Sequence, residues 1–160
     1  MSSAQVHAIE RLADFKAALQ TFTDKAKDAM SGNQMEIRRA QDWLESQLQG
    51  WKSEIRRAEE AVIQAKNELA RRKMMRISDR APDTTHQEKE LRKAQARLAH
   101  AEEKRDNTKA WLRRLPDDVE EYDGLARPFQ DCLDHDLGKM IRFIEEKIAA
   151  LDAYRQGGGA

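Results

Sequence analysis

Across 160 residues, 29 bases balance 29 acids, 36% of the chain is charged and the mean hydropathy is −0.90. So polar a chain does not suit a compact mixed α/β core, and a zero net charge gives no footing for general nucleic-acid binding. Leu, Ile, Val and Phe supply only 28 residues, a share found in disordered chains, but disorder needs unbalanced charge and here the apolar minority falls into heptads.

Met1 to Glu10 lacks the basic region and apolar run of a secretory signal, and no window holds 18 uninterrupted apolar residues. Cys132 is the single cysteine, so an intrachain disulfide framework is excluded and a reducing, cytoplasmic setting is expected. Ala4 to Met30 reads as a first helix with an apolar line through Leu12, Phe15, Leu19, Phe22, Ala26 and Ala29. Ser31, Gly32 and Asn33 are expected to interrupt it, because all three are weak helix formers.

The strongest signal lies next. Leu44, Leu48, Trp51, Ile55, Ala58, Val62, Ala65 and Leu69 keep a 4,3 spacing without a miss, and Leu91, Ala94, Leu98, Ala101, Arg105, Thr108, Leu112, Leu115 and Val119 repeat it. These are the arms of an antiparallel coiled-coil hairpin, about 34–77 and 84–123, joined by a turn at 78–84. Opposing large side chains to small ones selects a register in which facing residue numbers sum to 163, centred between Ala81 and Pro82. That register pairs Ala65 with Leu98 and Ile55 with Thr108, and leaves Ala58 against Arg105. Asp83 or Thr84 is expected to cap the second arm. Gly50 reads as room made for a neighbouring indole, and Trp51 as a buried seam residue.

Pro116 is expected to kink or briefly break the return arm, and Gly124 with Pro128 marks a second weak point. Asp131 to Arg155 forms a last helix whose stripe, Leu133, Leu137, Met140, Ile141, Phe143, Ile144, Ile148 and Leu151, is too wide for one neighbour. Two arrangements satisfy that width: the first helix continues the rod and a second copy covers the surplus, or it folds back at Gly32 into a thicker helical-bundle base. The second is favoured. The expected fold is therefore all-α, one domain over 1–156 with a flexible glycine-rich tail at 157–160.

Chemistry is sparse. Cys132 and His135 could begin a zinc site, but a closed site needs four ligands and the other histidines are isolated. No third group orients a Cys–His pair, and no glycine-rich phosphate loop exists. No catalytic residue, metal or cofactor is assigned. The turn is more informative, since Met74, Met75 and Ile77 leave the seam among Arg71, Arg72, Lys73, Arg76 and Arg80. Flexible apolar groups beside uncompensated cations form a surface suited to an acidic protein partner. The expected function is a non-enzymatic adaptor, scaffold or assembly subunit working through protein contact, with homo-oligomerisation through the wide last stripe. Alternatives are a bacterial secretion-associated helical protein, exported without a signal or acting as an export chaperone, and, ranked lower, a basic tip that binds nucleic acid or anionic lipid.

Overall fold

The computed structural model describes residues 3–75 and 82–157. Its elements are α1 (Ser3–Met74), α2 (Thr85–Asp131), a π-helical turn (Cys132–Asp136) and α3 (Leu137–Gly157), and no strand occurs among the described residues. The all-α helical hairpin expected from the heptads is thus the observed fold. By its internal contacts the chain divides into two compact units, Arg38–Asp118 and the combination of Met1–Ile37 with Val119–Ala160.

In the Arg38–Asp118 unit the seam positions are those read from the spacing. Ile55, Ala58, Val62, Ala101 and Thr108 are buried, with Ala58 at 0% exposure, and Leu44, Leu48, Ala65, Leu69, Leu91, Ala94, Leu98 and Leu112 are half-buried. Thr108 satisfies its hydroxyl locally, donating to the Lys104 carbonyl at 2.8 Å. Trp51 is half-buried rather than enclosed, its ring edge-on to His100 at 6.1 Å.

The register differs from the expected one. Arg97 reaches Glu54, Trp51 meets His100, and the Arg72 side chain reaches the Asp83 carbonyl; a sum of 163 would instead set Lys109 opposite Glu54, about 18 Å along the helix from Arg97. These contacts sum to 151, 151 and 155, so the arms are displaced by at least one heptad, and the first register below 163 that keeps seam against seam sums to 156. That register places Ala58 against Leu98, Ile55 against Ala101 and Val62 against Ala94, so each large side chain still meets a small one and the poor pairing of Ala58 with Arg105 disappears. Size matching repeats every heptad, so it fits both registers. Centring the turn on Pro82 chose the wrong one, because a hairpin loop need not be symmetric about its proline.

Helix breaks are fewer than expected. α1 passes through Ser31–Asn33 without interruption, which excludes a fold-back at Gly32. One glycine costs about 1 kcal/mol in a helix, less than the packing of the flanking turns returns, and the Asn33 amide donates to the Tyr122 hydroxyl at 3.1 Å. α2 likewise runs through Pro116, which is exposed, so the carbonyl deprived of its donor can be hydrated. Nor do Gly124 and Pro128 end the helix; the irregularity comes one turn later, where Leu137 N–H bonds to the Cys132 carbonyl and closes a π turn.

Gly50 also reads differently. A methyl group there would meet nothing within 4 Å, so no indole requires the space. We expect Gly50→Ala to raise stability by about 1 kcal/mol through helix propensity. An unchanged or lowered midpoint in urea denaturation would show that the backbone there needs glycine.

In the second unit the N-terminal part of α1 pairs with the return helix. The stripe of α1 is rotated from the expected one: Thr23 is buried, Leu12, Lys16, Leu19, Ala26 and Met30 are half-buried, and Phe15 and Phe22 are exposed. Starting from Leu12, spacings of 3,4 and of 4,3 both give an unbroken series, and the structure takes the second. Thr23 is tolerated inside because its hydroxyl donates to the Leu19 carbonyl at 2.8 Å, while Lys16 extends to Glu145 at 3.4 Å. Opposite them lie Leu133, Leu137, Ile141, Ile144 and Ile148, of which Leu133 and Ile144 are buried. The π turn sets their 4,4,3,4 spacing, since its extra residue keeps the stripe in phase on either side.

Candidate partner-contact site at the turn of the hairpin

The last turn of α1 carries Arg71, Arg72 and Lys73, cations placed where the helix dipole is negative. Met75 N–H closes the helix by donating to the Arg72 carbonyl at 3.2 Å. Arg72 is only half-exposed, and its Nε donates to the Asp83 carbonyl at 3.2 Å, so it clasps the two ends of the turn. Arg71 and Lys73 are exposed, as are Met75 and Met74, the latter at 82%. Arg76, Ile77 and Arg80 lie outside the described residues.

Across the turn, the start of α2 is capped as the sequence indicates. Asp83 Oδ1 accepts the Thr85 N–H at 2.9 Å, the Thr84 carbonyl accepts the Glu88 N–H at 3.0 Å, and the Thr84 hydroxyl donates to Glu88 Oε1 at 3.0 Å. The Thr85 backbone bond, followed by the Thr85 hydroxyl, holds the Asp83 carboxyl below the usual carboxylate range against an opposing desolvation, with a smaller contribution from the charge of Arg72. A lowered folded-state pKa means that the cap acts in full above the ordinary carboxylate pKa and is lost as pH falls through the folded value. Titration of Asp83 by carboxyl NMR should give a midpoint below that of an unstructured aspartate, and Asp83→Asn should flatten the acid limb of the stability profile. A midpoint at or above the reference would remove the cap from the account.

Beside the turn, Ala61, Ala65 and Glu68 face Gln87, Glu90 and Ala94 across an open groove. Farther along the same unit, Trp43 and Trp111 are both exposed, and the Arg114 guanidinium stands 5.7 Å from the Trp111 ring centre. Their position off the 4,3 seam is the signal available for them; Trp111 was expected only as an indole for which Gly50 makes room, which the open space at Gly50 does not bear out.

Among the described residues no three His, Cys, Asp or Glu side chains gather into a group able to hold a metal. Cys132 is half-buried within the π turn and His135 is exposed. No described helix is long and apolar enough to cross a membrane. No protein-family model matches the chain, and no curated protein or solved structure shows significant similarity to it.

Proposed function

We propose that this chain is a non-enzymatic coiled-coil protein that works through protein–protein contact, as an adaptor, a scaffold or a subunit of an assembly, and that the turn of the hairpin is a docking surface. The observation that carries this reading is the exposure of Met74 and Met75 beside Arg71 and Lys73. Two flexible apolar side chains contribute nothing to the seam there, and methionine adapts to irregular partner surfaces. Charge supports an acidic partner: the Arg38–Asp118 unit holds 20 bases against 15 acids, which favours encounter with a negative surface. The lone cysteine fits a reducing, cytoplasmic location.

The test uses the full chain with Met74→Ser, Met75→Gln and Ile77→Thr combined. Melting should stay nearly unchanged while recovery of a stoichiometric protein partner from native lysate falls, and added salt should weaken the wild-type complex. Melting lowered by many degrees with recovery intact would make these residues a structural plug. Recovery of export machinery or its cargo would favour the secretion-associated alternative. Binding to nucleic acid or anionic vesicles with a steep salt slope would favour the lower-ranked one.

A further inference from the structure

The unit formed by Met1–Ile37 and Val119–Ala160 has two unlike flanks. Along one edge of its helix pair, ion pairs cross from α1 to the return helix: Lys27 with Asp134 at 2.8 Å and Lys16 with Glu145 at 3.4 Å. Lys27 follows the seam residue Ala26, and Asp134 and Glu145 follow the buried Leu133 and Ile144. In an antiparallel pair, residues that follow the seam on both helices share one edge, and those that precede it share the other.

The preceding positions mix exposed apolar side chains with the charged Arg11, Lys25, Asp136 and Lys147. On α1 the apolar ones include Phe15 and Phe22, and on the return helix Leu125 and Met140; Phe129 and Phe143 lie toward the same side. All six are exposed, Phe22 at 52% and Phe143 at 56%. Lys147 holds its ammonium 4.9 Å from the Phe143 ring centre without covering it. Ala18 lies between Phe15 and Phe22, and Ala8 and Ala29 lie beyond them; with Arg11 and Lys25 these exposed residues form a second 3,4 series beside the first. Beside its occupied seam α1 therefore presents a second line whose middle, Phe15, Ala18 and Phe22, is apolar and whose flanks carry Arg11 and Lys25. A large-and-small seam of that spacing takes another helix.

We propose that a second copy of the chain covers this aromatic flank, the two helix pairs joining as a four-helix bundle. The area fits. With aromatic side chains worth roughly 150–250 Å² each, the six half-open residues present about 600 Å², at the upper limit for a monomer and most of the roughly 800 Å² that each partner gives to a stable interface. A second copy brings the same alternation of Phe and Ala, so each seam can receive the other. The inference is independent of the docking role given to the turn, which lies in the other unit.

The full chain is measured by sedimentation equilibrium over micromolar concentrations. Wild type should be a dimer, and Phe22→Glu with Phe143→Glu should raise the dimer Kd by about thirtyfold or more, as for a central aromatic contact. Both side chains are more than half exposed, so helicity should be retained. Should it fall, Ala18→Glu, at an exposed position outside the occupied seam, provides the same readout. Salt supplies a further criterion. This unit carries 9 bases against 14 acids, so its self-association should tighten as salt rises. A wild-type monomer throughout, a dimer indifferent to both sets of substitutions, or a dimer that loosens in salt and is lost on substituting Met74 and Met75 would overturn the proposal.

Discussion

Leu133→Ala should lower the stability of the protein by about 3 kcal/mol, the middle of the range for removing a fully enclosed leucine. Leu133, at 1% exposure, is the largest fully enclosed side chain among the described residues, and it sits in the π turn. Its backbone cannot readily shift to fill the void, because the Leu137 N–H and Cys132 carbonyl fix the turn around it. The loss should appear in urea denaturation as a lower midpoint with an unchanged slope. A loss below about 1 kcal/mol would mean that the two helices of this unit close over the gap, or that they are apart in solution.

Ala58→Asp should be costlier still, about 4 kcal/mol, since it buries an unpaired carboxylate where the native methyl has no exposure. Ala58 lies mid-seam in the Arg38–Asp118 unit, between Ile55 and Val62, both buried. The next residue, Glu59, is a native carboxylate at an exposed position, so a negative charge is tolerated on this stretch when it is hydrated and the cost at Ala58 belongs to burial. Circular dichroism should show the Ala58→Asp protein partly unfolded well below the wild-type midpoint. Full helicity and near-wild-type melting would require the arms to be separated at Ala58.

The sequence made the seam of this unit legible because every one of its positions obeys one spacing from Leu44 to Leu69 and again from Leu91 to Leu115. The register was not legible, since heptad periodicity makes slips of seven residues nearly equivalent in size matching. Only contacts at the edges of the seam, Glu54 with Arg97 and Trp51 with His100, break the tie. In α1 the ambiguity was rotational. A hydrophobicity count favours Phe15 and Phe22 as interior, yet the helix turns Lys16 and Thr23 inward and leaves the phenylalanines out. That reversal is what exposes the second apolar series. At the turn, the spacing after Leu69 identified Met74 and Met75 as off-seam, but it had no means of showing that Arg72 is engaged with the Asp83 carbonyl. The π turn had no sequence signal beyond the nearby Pro128.

The hairpin and its register underlie the placement of the turn, the capping of α2 and the burial of Ala58. They are tested most directly by cysteine pairs in a Cys132→Ser background, joined with a short bismaleimide. Glu54→Cys with Arg97→Cys should crosslink rapidly within one chain, whereas Glu54→Cys with Lys109→Cys should not, the two partner positions lying about 18 Å apart along α2. Preferential intrachain crosslinking of the Lys109 pair would contradict the account and restore the register summing to 163.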